Sequence, residues 1–200
     1  MSDNIKINNA ISLIARLSID KSSRMFSKFV KAGARIELEK AYVADITEAT
    51  KMINAEDSEV VGAFINLIGD APFKFLFFVN LKDSFLLADL ILRRPMGTTQ
   101  AFDLYASSAV QEIGNVLASS ISNVFATDFQ IVMKPSPPTV LHDYAGTLFE
   151  EYIIEAAIEK NEIFIIQTKF VVVEHNINCH MFIVPLHGSE NVLANIANRT

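Results

Sequence analysis

The chain has 200 residues, half of them apolar, and a formal net charge of -6 at pH 7. An acidic chain of this size has no general electrostatic attraction to nucleic acid or to an anionic membrane surface. Cys179 is the only cysteine, which excludes an internal disulfide and a multi-cysteine metal site and favours a reducing compartment such as the cytoplasm. The first residues lack a signal-peptide pattern, and no apolar run approaches the roughly 20 residues that a membrane helix requires.

The hydrophobic periodicity predicts alternating helices and strands along the chain. The first half is predicted to contain a helix (9–31), a strand (35–44), a short helix capped by Asp45, two strands (60–68 and 73–81) joined by a Gly-Asp-Ala-Pro turn, and a helix (83–94). The second half is predicted to contain a helix (100–127), a strand (129–134), a Pro-Ser-Pro-Pro turn, a helix (144–159) capped by Asp143, two strands (162–174 and 178–186) and a helix (189–198).

This order of elements repeats, which predicts a duplication. Asp45 aligns with Asp143, and the segment 79–90 aligns with 184–195. Two independent domains are the alternative, but no Gly/Ser-rich or Pro-rich linker separates the halves. The predicted fold class is therefore α+β, with two α-β-α-β-β-α units that share one sheet in a pseudo-twofold arrangement with long helices on the outside. The predicted single domain spans 1–200, with a first repeat at 1–97 and a second at 98–200.

The predicted long helix of the second half has an unusual polar face. Its apolar residues recur at spacings of three and four, so one face is predicted to pack on a core. A narrow polar stripe follows the opposite face: Ser108, Glu112, Asn115, Ser119 and Ser122. The stripe contains no lysine or arginine, whereas a face selected only for solubility would mix charges of both signs. We expect another molecule to dock closely on this stripe.

A longer motif resembles a known family. Ser108, Glu112 and Asn115, with Pro138 after a further 22 residues, are similar to the signature of the chemotaxis phosphatases CheC, CheX and FliY. The resemblance implies a CheC-like fold and hydrolysis of the aspartyl phosphate on a CheY-like receiver domain. It also implies no cofactor of the chain's own, because the Mg²⁺ of the reaction is expected on the receiver.

The resemblance implies a role for each motif residue. Asn115 would position the attacking water, and Glu112 would dock on a receiver lysine. Gly114 would leave a low surface for the partner, with helix packing inside the protein as the alternative. Pro138 is expected to stiffen a turn between a strand and a helix rather than to contact substrate.

The first half departs from the signature. Leu13 aligns with Glu112, Arg16 with Asn115, and Glu39 with Pro138. Arginine cannot accept a hydrogen bond from water, and leucine cannot pair with a lysine. We therefore expect one intact site, in the second half, and a degenerate first site.

Other functions are open at this stage. The protein could be a non-enzymatic adaptor that binds a receiver domain or a CheD-type deamidase through the same helix. A flagellar-switch component similar to FliY is disfavoured, because residues 186–200 leave no room for a further C-terminal domain. His175, His180 and His187 with Cys179 suggest a metal site, but adjacent strand residues such as Cys179 and His180 face opposite sides, so no metal is predicted.

Overall fold

The computed structural model describes residues 2–30, 34–54, 58–157, 162–172 and 177–197. Six helices lie in these ranges: α1 (Ser2–Val30), α2 (Ile46–Asn54), α3 (Leu81–Leu92), α4 (Leu104–Val124), α5 (Ala145–Ala157) and α6 (Glu190–Ala197). The strands are β1 (Ala34–Asp45), β2 (Glu59–Gly69), β3 (Phe73–Asn80), β4 (Met133–Pro135), β5 (Thr139–Tyr144), β6 (Glu162–Val172) and β7 (Ile177–Pro185). In the described ranges, no helix combines the length and the hydropathy needed to cross a membrane.

The strands form a single antiparallel sheet. Its order is β1-β6-β7-β3-β2, and the outer edge of β2 pairs with both β4 and β5. The two halves of this order are equivalent. Counted from either edge inwards, β1 corresponds to β4 and β5, β6 corresponds to β2, and β7 corresponds to β3. The predicted fold class, with two repeats that share one sheet, is therefore confirmed.

Helices cover both faces of the sheet. The larger core lies between one face and helices α1, α3, α4 and α6, and the smaller core lies between the other face and helices α2 and α5. Strands β2 and β3 are buried on both faces over most of their length, which explains their nearly continuous apolar sequences. The long helices α1 and α4 pack on the same face and contact each other; there the Ser22 hydroxyl donates to the Ser120 hydroxyl at 2.9 Å.

The second repeat differs from the prediction after α4. The predicted strand 129–134 is reduced to β4, because the chain first makes a π-helical turn at Phe125–Phe129. The segment Thr139–Tyr144 forms β5, which was not predicted, since its pairing with β2 lies far away in sequence. Asp143 therefore lies in a strand and does not cap the helix: α5 begins at Ala145, and the Asp143 carboxylate accepts from the Tyr144 amide.

The start of α4 is fixed by a cap that the sequence analysis missed. The predicted helix began at residue 100, but Asp103 is the N-cap, and its Oδ1 accepts from the Tyr105 and Ala106 amides at 2.9 Å each. Such a cap satisfies amides that have no partner within the helix. It therefore defines where the motif-bearing helix begins.

The connection between the repeats is held by Asp89, a buried residue of α3. Its carboxylate accepts from the Thr98 amide at 2.8 Å, the Thr99 amide at 3.0 Å and the Thr99 hydroxyl at 2.7 Å. Burial raises the pKa of Asp89, but these hydrogen bonds, with one from the Gly97 amide, outweigh it and hold the pKa below its ordinary value.

We expect Asp89→Asn to lower the free energy of unfolding at pH 7 by about 2 kcal/mol, because an amide cannot accept from all of these donors. The folded-state pKa lies below the unfolded-state value of about 3.9. The stabilisation is thus complete above about pH 4 and is lost as the pH falls through the folded-state pKa. Urea unfolding at pH 7 and at pH 3 measures both effects. The exposed Asp20→Asn is the control, and equal stability of Asp89→Asn and wild type at pH 7 would contradict this account.

Candidate functional site

The exposed face of α4 carries the predicted motif residues. Ser108, Glu112 and Asn115 are all exposed to solvent. The stripe is shorter than predicted, because Ser122 is buried and its hydroxyl donates to the Ala118 carbonyl at 3.0 Å. Ser119 is half-buried, so Asn115 is the last fully exposed residue of the predicted stripe.

A groove lies between α4 and the connection from β4 to β5. One wall consists of Gln111, Glu112 and Asn115, and the other is the segment 135–138. The groove has a volume of about 520 Å³ and is open to solvent. The structure thus brings Glu112, Asn115 and Pro138 to one place, although Pro138 is far from the other two in sequence.

Strand β2 holds the outer wall of this groove. Pro135 pairs with Leu67 and Thr139 with Phe64, so three residues, 136–138, span the interval that two residues span on β2. The extra residue makes the chain bulge outward. Ser136 anchors the bulge, since its amide donates to the Asn66 carbonyl at 2.8 Å and its hydroxyl accepts from the Asn66 amide at 3.0 Å.

Pro138 has a different position from the predicted one. It joins two strands rather than a strand and a helix, and it lines the groove opposite α4. Its ring fixes the backbone φ angle and removes an amide donor, both of which suit a bulge that is not part of the hydrogen-bonded ladder.

Gly114 does not contribute to the docking surface. It is buried, and a Cβ atom at this position would lie 2.8 Å from the Cβ of Ala63 and 3.4 Å from the Cδ1 of Ile65 on β2. The expectation of a low external surface at Gly114 is therefore wrong, and helix packing inside the protein is the role observed. The missing side chain lets α4 lie close to the sheet.

The residues aligned with the motif in the first half are also accessible. Leu13 is half-buried on α1, and Arg16 and Glu39 are exposed. The pairing of β1 with β6 shifts by one residue between Leu38 and Lys40, so Glu39 is itself the extra residue of a bulge. Glu39 in β1 and Pro138 between β4 and β5 thus occupy bulges in parts of the sheet that the pseudo-twofold relates. The degenerate character of the first site stays a prediction.

The sulfur and imidazole groups near the sheet do not converge. Cys179 is buried in the larger core, and burial together with the nearby Asp83 charge raises the pKa of its thiol well above the ordinary value. His180 faces the other side of β7, with Nδ1 3.8 Å from Glu39 Oε2. His187 is exposed, and His175 lies outside the described residues. In the ranges described, no three His, Cys, Asp or Glu residues are placed to share a metal ion.

Gln111 is a groove residue that the sequence pattern did not lead us to predict. It is exposed and lines the groove beside Glu112. The signal was available, because Gln111 precedes Asn115 by four residues and so lies one helical turn away on the same face. The Pro-Ser-Pro-Pro segment was recognised only as a turn, since its position against α4 depends on pairing with β2.

The fold and the groove combine an antiparallel sheet with related halves and a motif helix that faces a bulged edge strand. The CheC-like family model matches residues 106–142, which include the whole Ser108–Pro138 motif. The CheY-P phosphatase CheC of Bacillus subtilis is 22% identical over 185 residues, covering 88% of this chain and 86% of that protein.

Solved structures share the fold. Thermotoga maritima FliY is similar with a TM-score of 0.75 and 12% identity, covering 96% of both chains. The CheX-CheY-BeF3-Mg complex from Borrelia burgdorferi contains a chain similar with a TM-score of 0.58 and 13% identity, covering 86% of this chain and 97% of that one. The resemblance to the CheC/CheX/FliY family that the motif predicted is confirmed by these matches.

Proposed function

We propose that this protein hydrolyses the aspartyl phosphate of a CheY-like receiver domain. The observation that carries the proposal is the meeting of Glu112, Asn115 and Pro138 in one open groove. Two comparisons support it. The related B. subtilis protein is a CheY-P phosphatase, and a structure of similar fold is a complex of CheX with CheY.

Asn115 is suited to position the attacking water. Its carboxamide oxygen accepts a hydrogen bond from water while its NH₂ group donates to another acceptor, and its neutrality avoids repulsion of the phosphoryl group. The water oxygen bonds to phosphorus as the bond to the aspartyl oxygen breaks, and both water protons leave with the phosphate. An acyl phosphate is already activated, so placing the water in line is the main requirement.

Glu112 is suited to hold the receiver in register. It lies one turn before Asn115 on the exposed face, where its carboxylate can pair with a receiver lysine. The receiver would carry the Mg²⁺ that neutralises the phosphoryl oxygens, so the chain needs no metal of its own. Ser108 continues this face towards the start of α4, and Pro138 shapes the opposite wall.

Phosphate release tests the proposal. Candidate receivers are phosphorylated with a small-molecule phosphodonor, and their dephosphorylation is followed with and without the protein. Faster release from at least one receiver is the expected result. Binding of a phosphorylated receiver, or of a CheD-type deamidase, without faster release would contradict hydrolysis and identify an adaptor.

We expect Glu112→Gln to raise the Kd for the receiver about tenfold at low salt, because the substitution removes one charge of an interfacial pair. The effect should shrink at high salt, where ions screen the attraction. Titrations at two salt concentrations measure it. Glu151→Gln, an exposed carboxylate on α5, is the control. An unchanged Kd at low salt would show that Glu112 is only solvated.

A further inference from the structure

Leu104, the first residue of α4, is the most exposed large apolar side chain in the described part of the chain. It is 84% exposed, whereas the next, Ile68, is 63% exposed. A single exposed leucine is common on protein surfaces and needs no explanation by itself. Leu104 is of interest because it lies on α4, the helix that forms one wall of the groove.

Leu104 lies in line with Asn115. Each helical residue advances about 1.5 Å and turns about 100°, so eleven residues separate these two side chains by about 16 Å along the axis and only about 20° around it. Ser108 and Gln111 lie between them on nearly the same line, and all four residues are exposed. The polar face of the site therefore ends in an apolar side chain.

The backbone at Leu104 is held independently of its side chain. The Asp103 cap fixes the first turn, and the guanidinium of Arg94 lies over the Tyr105 ring at 4.6 Å. A side chain on a backbone that is already ordered loses little entropy when a partner covers it. Leu104 thus has an ordered backbone, while its side chain remains exposed to solvent and available to a partner.

We infer that Leu104 is a docking residue for the receiver domain, which contacts it through an apolar patch about 16 Å from the phosphorylated aspartate. The inference rests on the proposed function, because that function places the phosphoryl group at Asn115. A stable interface buries about 800 Å² on each partner, which is the area of a disc about 16 Å in radius. An interface that includes Asn115 and extends along α4 therefore reaches Leu104.

The test compares Leu104→Ser with Ile154→Ser, a control on α5 that removes another exposed apolar side chain (62% exposed) on the opposite face of the sheet. The probes are receiver domains loaded with beryllofluoride and Mg²⁺ for binding, and phosphorylated receivers for turnover. We expect Leu104→Ser to raise the Kd and the KM about tenfold, consistent with the loss of one buried leucine contact, and to leave kcat unchanged. Ile154→Ser should change none of these values.

The outcomes separate this inference from the proposed function. Wild-type affinity in Leu104→Ser, or equal weakening in both variants, overturns the docking role while hydrolysis through Asn115 stands. A Leu104-dependent Kd without phosphate release by the wild-type protein supports docking and overturns hydrolysis. No binding of any receiver overturns both. A wild-type dimer that Leu104→Ser converts to a monomer assigns the surface to a second copy of the chain and overturns the inference.

Discussion

Replacement of Asn115 by alanine is expected to reduce stimulated phosphate release by about 100-fold or more while the Kd for the receiver changes less than about twofold. The neutral amide of Asn115 can align water without bringing charge to the phosphoryl group. Its removal deletes little contact area, so docking should persist. Single-turnover dephosphorylation and binding of beryllofluoride-loaded receiver measure the two effects separately.

Asn123→Ala provides a matched control, because Asn123 is an exposed asparagine on the same helix, two turns beyond Asn115. It should leave the rate unchanged. The double variant Leu13→Ala/Arg16→Ala tests the first half and should keep the rate within about twofold, because leucine and arginine lack the groups that the predicted site requires and neither side chain is fully buried. A wild-type rate in Asn115→Ala would contradict the mechanism, and a large loss in the double variant would contradict the assignment of one active site.

Gly114→Val is expected to lower the free energy of unfolding by about 3 kcal/mol. A Cβ atom at Gly114 would already lie 2.8 Å from the Cβ of Ala63, and strand β2 is too deeply buried to move away. A branched side chain adds further overlap and loses rotamer freedom in a helix. Urea unfolding measures the change, and a variant as stable as the wild type would show that α4 can move away from the sheet at no cost.

A double-mutant cycle isolates this contact. Gly114→Ala in the wild-type background combines overlap with Ala63 and a gain in helix propensity of about 1 kcal/mol. In an Ala63→Gly background the overlap is removed and the propensity gain remains. Gly114→Ala should therefore be more favourable in the second background than in the first, with a coupling of about 1 kcal/mol or more. Additive effects would exclude direct contact as the reason for the glycine.

The local sequence was sufficient to predict most elements and their order. Apolar spacing predicted the long helices, and the Gly-Asp-Ala-Pro segment predicted the turn between β2 and β3, where Gly69 has a φ of 154°. Asp45 was predicted as a cap, and its Oδ1 accepts from the Glu48 amide at 2.8 Å. These features depend on interactions within a few residues, so a single sequence contains enough information to find them.

The motif was also found from sequence alone, since its spacing is a property of the chain. The exposure of Glu112 and Asn115 follows from the periodicity of α4. The roles of these side chains in hydrolysis stay predictions that the variants above can test.

The tertiary structure decided the rest of the site. Strand β5 is stabilised by pairing with β2, which lies about 80 residues earlier in the chain. The local sequence of β5 therefore did not predict a strand, and it was interpreted as the end of a turn followed by a helix cap. Gly114 and Ser122 belong to a helix whose polar and small residues could face either solvent or the protein interior. For Gly114, only the position of Ala63 on β2 determines which. The groove itself requires the bulge at 136–138 to lie against α4. The chain determined which residues carry the motif, whereas long-range strand pairing, whose energy depends on distant partners, determined where they meet.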